Sequence, residues 1–217
     1  MHGFRYVTKK QRAPAKNDLI SIIKASQDLL RGDFTFRFDF VGSDKRNMVT
    51  YDPKTNIGYD FDVNLEVNDD DGNYTPKEIK AKIIDALNKV AHKYGYAYAE
   101  NSTRVITIKI KDRQNSRILH SCDFAIVSNY TDKNGRERQK YIRFNKMPNT
   151  YTWEEQPDEY YMLSQEERWI KDNGYHSKLR ELYLAKKNEN SDPSKHSRSL
   201  YAEAVHEICQ RYGFFHH

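Results

Sequence analysis

"FVGSDKRNMVTYDPKTNIGYDFDVNLEV" spans residues 40–67, and its second half decides the fold. From Asp60 onward the residues alternate. Phe61, Val63, Leu65 and Val67 share one face, while Asp60, Asp62, Asn64 and Glu66 share the other. A period of two marks a strand with one apolar face. Same-face neighbours on a strand lie roughly 6.5–7 Å apart, so Asp60 and Asp62 repel each other unless they lie in water or share a cation. Ahead of them Gly42-Ser43 closes another alternating run, "DFTFRFDFV" (33–41), whose Phe34, Phe36, Phe38 and Phe40 share a face.

Working outward, "NDLISIIKASQDLLRG" (17–32) places Leu19, Ile22, Ile23, Leu29 and Leu30 at helical spacing, with Asn17 as N-cap and Gly32 just past the end. After the acidic turn at 68–74, Thr75 caps a second helix, Pro76 takes its first position and Glu78 completes a capping box, with Gly95 as the stop. The turn fails as a calcium loop. With Gly72 at position six and Glu78 at position twelve, position one is Val67, which offers no carboxylate. Strands follow at 102–112 and 118–127, and another at 134–144. "YTWEEQPDEYYM" (151–162) reads as a connecting segment, and 164–188 and 197–213 read as helices.

This order predicts an α+β fold with a mixed β-sheet core flanked by helices and a short helical C-terminal extension. The expected divisions are a basic N-terminal arm at 1–16, a core at 17–150 and the extension at 151–217.

Composition narrows the class. The 217 residues carry a net charge of +5 and are 13% aromatic, which suits a packed globule rather than a disordered chain. No apolar run reaches membrane-spanning length. The two cysteines, Cys122 and Cys209, form no C-x-x-C unit, and a reducing cytoplasm is the expected location. Residues 1–150 hold 27 Lys and Arg against 19 Asp and Glu, whereas residues 151–217 hold 9 against 12. Basic stretches at 104–117 and 133–146 suit phosphates, of a nucleotide or of a nucleic acid. They equally suit a solvated face.

The carboxylates carry the sharper signal. Two on one strand, joined by a third from a neighbour, can hold two divalent ions. Such a pair clamps the attacking and leaving oxygens of a phosphoryl transfer. Oxygen ligands select magnesium or manganese over zinc. Asp123, set between Cys122 and Phe124 in an apolar strand, is the expected third ligand, since an uncompensated charge there is costly. Glycine at 42 lets backbone approach a phosphate, the Ser43 hydroxyl can donate to it, and Lys45 and Arg46 can neutralise it.

A strand, Gly-Ser, a spacer, Asp-x-Asp on a second strand and a later Asp on a third resemble the nucleotidyltransferases of the DNA polymerase beta-like superfamily. "VGS…GYDFDVNLEV…HSCDFAIV" looks most like the branch of oligoadenylate synthetases and cyclic GMP-AMP synthase-like enzymes. The resemblance covers about residues 20–130. It implies a metal-dependent enzyme that transfers a nucleoside monophosphate from an NTP to a hydroxyl and releases pyrophosphate. It further implies that Gly42 and Ser43 hold phosphate, and that Asp60, Asp62 and Asp123 bind two Mg²⁺ or Mn²⁺ ions, with Asp123 helping to activate the hydroxyl. The spacer from Ser43 to Asp60 holds sixteen residues, and Arg46 and Thr50 loosely match the positions after Gly-Ser. The acceptor stays open among a second nucleotide, an RNA end, a small molecule and a protein. The alternatives are an inactive nucleotidyltransferase-like protein and a nucleic-acid-binding α+β module.

Overall fold

The computed structural model describes residues 2–56, 58–69, 71–157, 160 and 162–216. In chain order the elements are β1 (Arg5–Tyr6), α1 (Lys9–Leu30), β2 (Thr35–Val41), α2 (Gly42–Lys45), β3 (Thr50–Tyr51), β4 (Tyr59–Asn68), α3 (Pro76–Ala91), β5 (Glu100–Asn101), β6 (Val105–Asp112), β7 (Arg117–Thr131), β8 (Glu137–Asn145), β9 (Thr150–Glu155), α4 (Leu163–Asp172), α5 (His176–Glu189) and α6 (Ser197–Tyr212). They divide into two compact units, Tyr6–Tyr51 with Thr55–Gln156, and Met1–Arg5 with Asp52–Lys54 and Pro157–His217.

The larger unit is built on a seven-stranded mixed sheet in the order β2-β4-β7-β6-β5, with β8 pairing β7 and β9 pairing β8. β4 and β7 run parallel, and the other pairs in the sheet are antiparallel. The alternation seen in the sequence becomes a two-sided sheet. Phe61, Val63 and Leu65 of β4, Cys122, Phe124 and Ile126 of β7, and Ile106 and Ile108 of β6 are almost wholly buried. They form one core with Leu19, Ile22 and Ile23 of α1 and Ile79, Ile83 and Leu87 of α3. Burying an aliphatic or phenyl side chain of this size contributes roughly 1.5–3 kcal/mol. The opposite face of the sheet is left for polar groups.

α3 forms as its signals dictate. Thr75 accepts from the Glu78 amide while Glu78 accepts from the Thr75 amide, and Gly95 ends the following turn of 3₁₀ helix in the left-handed region at φ 82°.

Three elements differ from the expectation. The first helix starts at Lys9 rather than after Asn17, because Thr8 and Gln11 form a capping box; the second half of the stretch expected as a basic arm is thus helical, with Arg12 and Ala15 buried. Residues 150–155, expected to be largely a connection, form β9, whose Tyr151 and Trp153 pack on the core. The helix expected over 164–188 is two helices, separated by a turn in which Gly174 adopts φ 73°.

The smaller unit is helical. Leu163 and Ile170 of α4, Leu179 and Tyr183 of α5, and Leu200, Ala204, Val205 and Ile208 of α6 are buried. Glu166, itself buried, places Oε1 2.8 Å from His206 Nδ1. Among the described residues, no helix is long and apolar enough to cross a membrane.

Candidate active site

The register of β4 against β7 fixes the site. In the parallel ladder Asp62 stands opposite Asp123 and Asp60 opposite Ser121. On the far side of β7, Thr107 stands opposite Asp123 and Lys109 opposite Ser121. Directly paired residues share a sheet face, so two rows cross the polar face, Asp62–Asp123–Thr107 and Asp60–Ser121–Lys109. The three aspartates expected to cooperate from their order in the chain are therefore brought to neighbouring positions on one face.

At Asp62 and Asp123, burial and mutual repulsion outweigh the nearby positive charges of Arg46 and Lys109. Burial raises the Asp62 carboxyl, and repulsion from Asp123 and Asp60 adds to it, bringing it to about 6 against a smaller opposing effect of Arg46. Burial also raises Asp123, with the Thr107 hydrogen bond and Lys109 pulling the other way and Asp60 reinforcing the rise. Two of the carboxylates are turned to hydroxyls on the adjacent strand. Thr107 Oγ1 donates to Asp123 Oδ1 at 2.5 Å, and Ser121 Oγ donates to Asp60 Oδ1. Among the described residues no group of three or more His, Cys, Asp or Glu side chains is gathered closely enough to hold a metal ion. The donor set itself, carboxylates alone, has the hard character that magnesium and manganese require.

Gly42 lies against Asp62. It adopts φ +60°, and a Cβ there would collide with the Asp62 carboxylate, so glycine serves both the backbone angle and the close approach. Gly58 has a related role at the start of β4, where a Cβ would strike the Leu119 carbonyl beside it. The Gly-Ser pair, expected as a loop, opens the single-turn helix α2, and the Ser43 carbonyl accepts from the Met48 amide at 2.8 Å.

A buried ion cluster anchors this turn. Asp44 accepts from Arg12 Nε at 2.6 Å and from Lys16 Nζ at 2.5 Å, with Arg12 also donating to the Val7 carbonyl and to Asn47. Burial alone would raise the Asp44 carboxyl, but hydrogen bonds and charge from Lys16 and Arg12 outweigh it and hold it below the usual range. Lys45 is exposed and lies 3.4 Å from Asp39. A cavity of about 590 Å³ opens beside this turn, lined by Lys9, Arg12, Lys16, Lys45 and the rings of Phe38 and Phe40 among others. Of the residues expected to meet phosphate, Lys45 lines it; the three aspartates do not.

Sequence reading missed Thr107 and Lys109. Ser121 was legible as a same-face neighbour of Asp123, but its partner Asp60 depends on register. His120 stacks on the Tyr59 ring and lies 2.9 Å from the Tyr96 hydroxyl.

No family model and no curated relative matches the chain. Solved structures do. A STING-associated CdnE c-di-GMP synthase from Capnocytophaga granulosa superposes with a TM-score of 0.60 at 15% identity, covering 96% of this chain and 63% of that one. The Bradyrhizobium diazoefficiens CD-NTase CdnG in complex with GTP gives 0.56 at 13%, covering 93% and 66%. The Elizabethkingia meningoseptica CdnE cyclic dinucleotide synthase with GTP and Apcpp gives 0.50 at 17%, covering 88% and 67%. The chain thus spans about two-thirds of the length of these structures. At such identities the likeness speaks to architecture, and the chain shares the fold of these CdnE and CdnG structures.

Proposed function

We propose that the protein is a nucleotidyltransferase that takes an NTP, transfers its nucleoside monophosphate to a hydroxyl and releases pyrophosphate. The observation that carries this reading is the register that sets Asp62 beside Asp123, with Asp60 two residues away on the same face. Three acidic groups gathered on one sheet face suit a divalent cation, and the fold supports the same chemistry.

Asp60, Asp62 and Asp123 would hold magnesium or manganese. When bound, such ions would supply charge neutralisation for the triphosphate and a lowered pKa for the acceptor hydroxyl. Asp62, pressed against Gly42, ties the carboxylates to the Gly-Ser turn. Gly42 and Ser43 would lie along the triphosphate, with Lys45 and Arg46 adding positive charge. The Arg12–Asp44–Lys16 cluster keeps that turn in place. Asp123 would accept the proton of the acceptor hydroxyl as its oxygen bonds to the α-phosphorus. The bond from that phosphorus to the bridging oxygen breaks, and pyrophosphate leaves with the electron pair.

The named products of the structural neighbours, cyclic dinucleotides, support a second nucleotide as the acceptor. Incubating the protein with each NTP and each NTP pair, with Mg²⁺ or Mn²⁺, and identifying products by mass tests this. Nucleotide-to-nucleotide linkages with stoichiometric pyrophosphate are expected. Binding of Mg²⁺-NTP without pyrophosphate from any pair would overturn the catalytic reading.

A further inference from the structure

Each of the two polar rows carries one hydroxyl, Thr107 in the first and Ser121 in the second. Ser121 and Thr107 are both buried, each about 8% exposed, and stand on different strands. Each donates its proton to one oxygen of one aspartate, Ser121 to Asp60 Oδ1 and Thr107 to Asp123 Oδ1. Neither bond is a local one, since 61 residues separate Ser121 from Asp60 and 16 separate Thr107 from Asp123. The ladder register alone creates them. Asp62, between these two carboxylates, lies instead against Gly42.

A hydroxyl near a carboxylate can serve the apo fold by softening repulsion. The pattern here does more. It engages one oxygen of each outer carboxylate and leaves the second oxygen of each uncommitted to its hydroxyl. A donor to one carboxylate oxygen fixes the rotation of the group about its Cβ–Cγ bond. Where the carboxylate is to be a metal ligand, such a donor sets the direction in which the remaining oxygen points. Outer partners of this kind are commonly worth 10–100-fold in metal affinity.

We propose that Ser121 and Thr107 are positioning residues that aim Asp60 and Asp123 at a shared divalent cation. The proposal rests on the nucleotidyl-transfer reading for the cation itself. It adds that the two hydroxyls, which sit on β7 and β6 and touch neither the cation nor the substrate, set the affinity for it. Their effect is on ligand geometry and not on charge. A serine-to-alanine or threonine-to-valine change alters no formal charge on the face.

The test is Mn²⁺ binding by electron paramagnetic resonance, without nucleotide, on the wild type, Ser121→Ala, Thr107→Val and Thr107→Ser, with thermal melting of each metal-free protein as a control for folding. Wild type is expected to bind Mn²⁺, each hydroxyl-deleting variant to bind roughly 10-fold or more weakly, and Thr107→Ser to return to near wild-type affinity because it keeps the donor. A merely structural role would shift melting temperature without shifting the affinity of the folded protein. If the wild type binds and Ser121→Ala and Thr107→Val bind equally well, the positioning role is wrong while the metal site stands. If the wild type itself binds no Mn²⁺, the nucleotidyl-transfer reading falls and this proposal falls with it. Should Thr107→Val fail to fold, Ser121→Ala decides by the same comparison.

Discussion

Two places in the larger unit hold buried or half-buried aspartates, and they treat them in opposite ways. Asp44 meets Arg12 and Lys16 at hydrogen-bonding distance, and its carboxyl is held below the ordinary range. Asp62 meets Asp60 and Asp123 instead, and its carboxyl is pushed up to about 6. The two lie close in the fold, one in the helical turn α2 that follows β2 and the other on the strand paired with β2. The difference is where the counter-charge comes from. At Asp44 the chain supplies it, and the result is an anchor. At Asp62 no described residue forms a comparable ion pair, and under the proposed function a cation from solution takes that place. A folded protein tolerates that repulsion only while stability elsewhere exceeds it, which is the usual economy of a functional site.

The comparison breaks most sharply at Asp62. Asp62→Asn keeps the shape and removes one charge. Pyrophosphate release should fall by roughly 10³-fold or more, as charge stabilisation by bound ions is lost. Metal-free stability should move the other way. The shift from 3.8 to about 6 corresponds, at about 1.4 kcal/mol per pH unit, to a gain of ~1–3 kcal/mol at pH 7 for the variant. Chemical denaturation without metal and a pyrophosphate assay on the same preparation check both halves. A variant with lower stability and full turnover would erase the distinction between the two aspartates.

Asp44→Asn should produce the inverse. Arg12 would stay buried without its carboxylate, and breaking such a pair costs ~3–5 kcal/mol. Denaturant melts should show the loss at pH 7. The loss should shrink in acid, because a carboxyl depressed in the folded state stabilises the fold above its unfolded pKa and ceases to as pH falls through the folded value.

Lys80 sharpens the rule with the opposite sign of charge. It is 1% exposed on α3, donates to the Ser102 carbonyl at 2.8 Å, and burial lowers it to about 8. Below pH 8 the ammonium is charged at a cost in the folded state. As pH rises from about 8 towards 10.5, the unfolded chain holds more protons than the folded one, so stability rises. Lys80→Met should stabilise the protein by ~1–3 kcal/mol at pH 7, after the lost hydrogen bond is set against the removed charge. The advantage should fade by pH 10. Melting curves at the two pH values measure it.

Much of the sheet could be read from the sequence because the information is local. The alternation in β2 and β4, the Thr75 capping box and the apolar stripe of α3 act within a few residues of themselves. Asp60, Asp62 and Asp123 were legible as acidic residues misplaced in apolar strands. What depends on register was not. Nothing in the chain order says that Asp62 pairs with Asp123, or that Ser121 and Thr107 donate to Asp60 and Asp123. The first turns of α1 were hidden for a related reason. Lys9–Lys16 reads as a charged arm with Pro14 in it, and the carboxylate that lets Arg12 be buried, Asp44, lies far along the chain. β9 alternates over only five residues, Tyr151 and Trp153 against Thr150, Thr152 and Glu154, too short a run to stand out, and what its two rings pack on lies far away in sequence. The break between α4 and α5 did have a local sign, Asn173-Gly174, which the apolar spacing on either side outweighed.

The most direct measurement of the central claim is Mn²⁺-induced thermal stabilisation as a function of pH, on the wild type, Asp62→Asn and Asp44→Asn. Protons and the cation compete for Asp62, so stabilisation of the wild type should grow as pH rises through about 6. In Asp62→Asn it should be small and nearly flat in pH. In Asp44→Asn, lower melting as it is, the Mn²⁺ increment should keep the wild-type pH profile. Equal Mn²⁺ stabilisation in the wild type and Asp62→Asn at every pH would contradict the account, because the charge left unpaired by the chain would then not be what receives the cation.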